Sequence, residues 1–226
     1  MKKKKKKKRR GSRKGGVYER ELCRELSEWW SKRGDDDLFY RTHGSGSRAT
    51  VRYKKGKKTR GQVGDVCAVD TRGATFIKAF PISVKRGYVK SSLQDIIDFV
   101  GRKKKQSEFE DWIRECMLYQ RQTKSLGWML ILRKDQRKAV LFMPLEIVLF
   151  QLPSTIRSKL LKCPNAFFRL KGTMKKKNRK KMSSKEYMTW YVKNNKVVFS
   201  IALQDFLKYV DRQTICQMVK RYEQQK

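Results

Sequence analysis

Four stretches dense in lysine and arginine, Lys2 to Lys14, Arg52 to Arg60, Arg102 to Lys105 and Lys171 to Lys185, cut this chain into separate apolar segments. Like charges at that density repel one another and cannot be buried, so any core must form from the segments between them. Residues 1–14 hold eleven basic side chains, and Lys171 to Lys185 holds eight and no acid. The first reads as a disordered basic tail and the second as a mobile loop. The whole chain carries 58 Lys and Arg against 21 Asp and Glu, a formal net charge of +37, which makes a polyanion the natural partner.

Apolar side chains are nonetheless plentiful enough to build a core, with 5 Trp, 9 Tyr and 11 Phe. The five cysteines, Cys23, Cys67, Cys116, Cys163 and Cys216, are far apart and odd in number. That spacing disfavours a zinc site or a disulfide framework and suits a reducing compartment. No apolar run reaches the ~20 residues of a membrane span, and no apolar segment follows the basic N-terminus as a secretory signal requires. A soluble, intracellular protein is expected.

Periodicity predicts a helix after Gly15-Gly16, with Leu22, Leu26 and Trp29 on its buried side and Gly34 at its end. A strand at Leu38 to Thr42 leads into the loop His43 to Arg48. Val63 to Val69 and Thr75 to Lys85 read as two strands around a turn at Asp70 to Gly73, with Ser83 and Lys85 opposite the face of Phe80, Ile82 and Val84. A short helical stripe, Leu93, Ile96, Ile97 and Val100, precedes a longer helix from Ser107 with Phe109, Trp112, Ile113 and Cys116 inward. Trp128 to Leu132 and Ala139 to Met143 form a strand pair. Beyond Pro144, a strand at Lys196 to Ile201 and helices at Leu203 to Val210 and Ile215 to Tyr222 are the readable elements. The expected fold is α/β, a mixed sheet flanked by helices with an α-β-β-β-α-β core over residues 15–143 and an α+β extension over 144–226.

Three residues carry candidate chemistry. At about 100° per residue Glu19 lies roughly 60° from Leu22, on the border of the buried stripe, where a carboxylate is costly unless paired or metal-bound. Asp65 follows Gly64 at the start of a strand, and Lys85 sits on the strand after it. Phosphodiester hydrolysis needs a divalent cation on carboxylates, an activated water, and positive charge near the developing anion. A structural salt bridge for Glu19, and a chance Asp and Lys pair in so basic a chain, are the competing readings.

The pieces Glu19-Arg20-Glu21-Leu22, Arg41 with Gly44-Ser45, Gly64-Asp65-Val66 and Ile82-Ser83-Val84-Lys85 occur in the order of a known pattern. From Lys14 to Leu132 the chain resembles the PD-(D/E)XK nucleases, and more narrowly the archaeal-type Holliday junction resolvases. That resemblance implies a restriction-endonuclease-like fold. It implies Mg²⁺, replaceable by Mn²⁺, held by Asp65 with Glu19 near the metal or its water, and Lys85 orienting the water or stabilising the transition state. Arg20, Arg41, Ser45 and Arg48 would contact phosphate, the substrate would be a four-way junction or other branched DNA, and the enzyme would be a homodimer. His43, the sole histidine, is more simply a loop residue. A footprint of about eight phosphates would give a log–log salt slope near −7.

The family's E-x-K glutamate is Ser83 here. A neutral hydroxyl is a poor magnesium ligand, so the acid comes from elsewhere, the protein is a noncatalytic DNA-binding relative, or the substitution silences the site. Some restriction enzymes of the superfamily read S-x-K and take an acid from the next helix, which makes Asp95 and Asp98 candidates, alongside a plain solvated-face reading. A basic RNA-binding protein is a third reading, in which Trp29, Trp30, Tyr40 or Tyr53 could stack on bases. For Trp29 and Trp30 core packing is the better explanation.

Overall fold

A computed structural model describes residues 10–32, 34–42, 63–69, 71–87, 108–169 and 197–225. In chain order the elements are α1 (Arg10–Trp30), β1 (Phe39–Arg41), β2 (Val66–Ala68), α2 (Thr71–Ala79), β3 (Ile82–Arg86), α3 (Glu108–Thr123), β4 (Met129–Arg133) and β5 (Val140–Pro144). A π-helical turn (Ile147–Gln151), α4 (Ser154–Lys162), β6 (Asn165–Arg169), β7 (Val197–Ala202), α5 (Leu203–Tyr209) and α6 (Arg212–Gln224) complete them. The stripe at Leu93 to Val100 and the basic stretches from Arg52, Arg102 and Lys171 lie outside the described residues.

Five strands form a mixed sheet in the order β3-β4-β5-β7-β6, and β1 and β2 make a separate antiparallel pair. The expected α/β architecture, a mixed sheet flanked by helices, is therefore the observed one. β3 and β4 are parallel, in register from Ile82 opposite Met129 to Arg86 opposite Arg133, with α3 in the connection between them. The remaining neighbours are antiparallel.

Both sheet faces are covered, which explains why Ser83 is fully buried beside the apolar Ile82 and Val84. Ile82, Val84 and Ile131 face the larger core with Tyr18, Leu22 and Leu26 of α1 and with Phe206 and Ile215 of the last two helices. Leu130, sharing the other face with Ser83, packs on Phe109, Trp112, Ile113 and Cys116 of α3. The helix stripes read from periodicity are thus the packed faces.

Two expectations need correction. Thr75 to Ala79 is the end of a helix rather than a strand: Phe76, Ala79 and Phe80 recur at helical spacing and are all buried, and Pro81 separates them from β3. Buried Gly73 lets α2 approach β1, since a Cβ there would lie 2.9 Å from the Phe39 ring. At the N-terminus the helix starts at Arg10, so positions 10–14 extend α1 instead of belonging to a disordered tail. Lys and Arg are good helix formers, and adding residues to a packed helix avoids the cost of nucleation. Residues 1–9 lie outside the described part.

Buried Ser27 ties α1 to β1. Its hydroxyl donates to the Cys23 carbonyl and accepts from the backbone N–H groups of Leu38 and Phe39, at 2.8, 3.0 and 2.9 Å. The Trp30 indole donates to the Arg72 carbonyl at 2.8 Å, and that of Trp29 to Leu207 and Val210 at 2.9 and 3.1 Å. Both tryptophans are packing residues, as expected.

Candidate active site

Gly64 sets the geometry of the site. Its φ of +88° is left-handed, and a Cβ would fall 2.6 Å from the Ile82 carbonyl oxygen, so only glycine lets this strand approach β3 so closely. The next residue, Asp65, donates its N–H to that same carbonyl at 2.7 Å and accepts on its own carbonyl from the Thr42 N–H at 3.0 Å. Its carboxylate, buried at the junction of β2 and β3, accepts on Oδ2 from the Val84 N–H at 2.7 Å and the Ser83 hydroxyl at 3.2 Å. Oδ1 makes no hydrogen bond with a described residue.

Burial pushes the Asp65 carboxyl up to about 6, against the opposing pull of the Val84 N–H and the Lys85 charge, with Glu19 and Glu115 adding repulsion. The structure thus brings Asp65, Ser83 and Lys85 together on adjoining strands. Ser83 acts as a hydrogen-bond donor to the acid.

Lys85 reveals a residue that sequence reasoning missed. Its Nζ lies 3.0 Å from Oε2 of Glu115, and the other oxygen of Glu115 accepts from the Tyr119 hydroxyl at 2.7 Å. Burial alone would lower the Lys85 pKa, but the attraction of Glu115 and then Asp65 outweighs it and the net shift is upward. Lys85 is therefore a cation at neutral pH. A signal for Glu115 was present in the sequence: it stands three residues after Trp112 and next to Cys116, on the border of a buried stripe, the same criterion that marks Glu19. Asp95 and Asp98 lie outside the described residues.

Glu19 is buried at the end of the cleft and pairs with the Arg41 guanidinium. The helix leaves room for this pair at Gly16, where a Cβ would lie 3.1 Å from Arg41 Nη1. Arg20, one residue on, is exposed and lines a surface cleft with Arg24, Tyr40, Arg41 and Thr42. His43, Ser45 and Arg48 fall outside the described residues.

Asp65 has Glu19 and Glu115 near enough to repel its charge, and carboxylate oxygens are the ligands a hard divalent cation takes. Among the described residues no group of three or more His, Cys, Asp or Glu converges on a metal position. Magnesium does not need such a cage, because one or two carboxylates with waters and substrate phosphate suffice. Asp65 through Oδ1, and Glu115 by exchanging its contact with Lys85, fit that role. Among the described residues no helix is long and apolar enough to cross a membrane.

Comparison with curated proteins and with solved structures finds no match. A family model described as "Phage putative PDDEXK endonuclease" matches residues 10–197, a span that takes in Glu19, Asp65, Ser83, Lys85 and Glu115. With most of its length matched and an Asp and a Lys held together on adjoining strands, the chain belongs to this family and, through it, to the PD-(D/E)XK nuclease superfamily.

Proposed function

We propose that the chain is a Mg²⁺-dependent endodeoxyribonuclease, with Mn²⁺ as a substitute, selective for branched DNA such as a four-way junction. The observation that carries this reading is Glu115, an acid from α3 set beside Lys85 on β3, where the resemblance to the superfamily expects a glutamate at position 83. A bound Mg²⁺ would supply charge neutralisation at the scissile phosphate and a water of lowered pKa.

The protein's own residues then have separable tasks. Asp65, anchored through Oδ2, presents Oδ1 to the metal, and Glu115 is the second carboxylate. Lys85, kept protonated, stabilises the phosphorane-like charge instead of acting as a base. Glu19 and Arg41 form a pair at the mouth of the site, where Glu19 holds the arginine fork for a phosphate. Symmetric cleavage of a junction requires two such sites, hence a homodimer.

A noncatalytic nucleic-acid-binding relative is the second reading, favoured by the buried neutral Ser83 and by the lack of a three-acid cluster among the described residues. One experiment separates the two: cleavage of a labelled four-way junction and of linear duplex, with Mg²⁺ or Mn²⁺. The nuclease reading expects cutting by the unaltered chain, loss in Asp65→Ala and Glu115→Gln, and recovery when Ser83→Glu is added to Glu115→Gln. Cutting only after Ser83→Glu means a silenced site. Binding without cutting by any form, under either metal, rejects the enzyme.

A further inference from the structure

Tyr40 lies in the cleft between α1 and β1, on the neighbouring strand position to Arg41, and is 40% exposed. A tyrosine at a surface normally keeps its hydroxyl in water and its ring free to swing. Here it stands on a strand that is fixed in place: Tyr40 is the antiparallel partner of buried Cys67 on β2, and Cys67 is held by Thr42 at 2.7 Å. The exposed ring is therefore carried on a paired strand at the wall of the cleft. A fixed aromatic face loses little freedom when a flat ligand stacks on it.

The charges around that face are mixed. Arg20 and Arg24 stand one helical turn apart on α1, and Arg20 makes no ion pair with a described residue; Asp36 and Asp37 line the same cleft, with Asp36 paired to Arg24 at 3.6 Å. A cleft meant only for duplex backbone gains nothing from two carboxylates. A nucleobase does, because its ring amines and imino N–H groups donate to carboxylates once they are not engaged in pairing. Arg20, Asp37 and the Tyr40 ring in one cleft are complementary to a phosphate, a base edge and a base plane respectively.

We infer that this cleft binds one unpaired nucleotide of the substrate, its base stacked on Tyr40 and its phosphate on Arg20. The inference rests on the nuclease reading and narrows it. Arg41, next to Tyr40, pairs with Glu19, and Thr42 donates to the Asp65 carbonyl, so the cleft adjoins the residues assigned to the scissile phosphate. Paired bases inside a duplex offer no open face, so the chain would favour a branch point with an unpaired nucleotide over uninterrupted duplex.

The test reads binding in EDTA, so it is independent of whether the chain cleaves. Splayed-arm DNA carries 2-aminopurine at successive positions from the branch, and fully paired duplex is the reference. The unaltered protein is expected to quench the fluorophore at one unpaired position beside the branch. Tyr40→Ala is expected to abolish that quenching and to weaken splayed-arm binding about tenfold relative to duplex, the scale of one base stacked on an aromatic ring; Tyr40→Trp is expected to retain both. Quenching at no unpaired position by the unaltered chain overturns the inference, even if Tyr40→Ala proves unstable. So does a Tyr40→Ala protein that loses splayed-arm and duplex affinity in equal measure. A chain that binds and quenches as expected but never cleaves would fail the nuclease reading alone.

Discussion

Replacing Asp65 by asparagine removes a buried charge while keeping the acceptor for the Val84 N–H and the Ser83 hydroxyl. The carboxyl titrates near 6 in the folded chain and near 3.8 in the unfolded one. Its folded-state pKa is raised, so the folded chain binds the proton more tightly, and the stability this gives is full below about 3.8 and is lost as pH rises through about 6. At 1.36 kcal/mol per pKa unit, ionisation of Asp65 costs the fold about 3 kcal/mol. Urea denaturation of the unaltered protein and of Asp65→Asn, each from pH 3.5 to 8, isolates this term, because the other titrating groups cancel in the difference. The stability of Asp65→Asn relative to the unaltered protein should rise by about 3 kcal/mol between pH 3.5 and pH 8, most of it before pH 7. Millimolar Mg²⁺ at pH 8 should narrow the gap by stabilising only the form that has the carboxylate. A difference independent of pH would refute the argument that Asp65 is held as a desolvated acid.

Gly64→Ala places a Cβ at φ +88° against the Ile82 carbonyl; together strain and clash should destabilise the chain by about 3 kcal/mol, read by chemical denaturation. Tyr119→Phe keeps the buried ring but deprives Glu115 of its donor. It should cost about 1 kcal/mol in stability while lowering Mg²⁺ affinity or cleavage about 10- to 100-fold, measured by metal titration of the cleavage rate. Gly16→Ala would ordinarily favour a helix by about 1 kcal/mol. Because its Cβ presses on Arg41, the expected result is a melting temperature that does not fall and a cleavage rate reduced about tenfold, in line with the cost of small misplacements at a site.

Periodicity reveals an element when that element has one wet face and one dry face. α1, α3, α5 and α6 satisfy this, and so were legible with their buried residues; β4, β5 and β7 were found as short apolar runs between polar turns. α2 failed because Thr75, Phe76 and Ile77 are strand-favouring types in a helix of nine residues, too short for its stripe of Phe76, Ala79 and Phe80 to dominate. α4 and β6 carry little contrast between faces, with Leu160 the sole buried side chain noted in α4, and neither was read. The structure brings Asp65, Ser83 and Lys85 together although α2 lies between β2 and β3 in the chain. Glu115 is not legible in the same way, because it is distant in sequence from Lys85, whereas Asp95 and Asp98, candidates beside a plain solvated-face reading, lie nearer in sequence but outside the described residues. The helix that covers the Ser83 and Lys85 face of β3 is set by the parallel crossover through α3 to β4, which brings Glu115 beside Lys85.

The place of β7 has a kinetic consequence. It is the last strand in the chain, yet it lies inside the sheet, hydrogen-bonded to β5 on one side and β6 on the other. The pairing of Val140 with Ala202 closes a long loop, an entropic cost met before the rest of the ladder can compensate. A ribosome would therefore release Asp65, Lys85 and Glu115 well before the strand that completes their sheet. In the interval β5 presents an open, apolar edge, and completion of the sheet that holds Lys85 waits on synthesis of residues more than a hundred positions downstream of it.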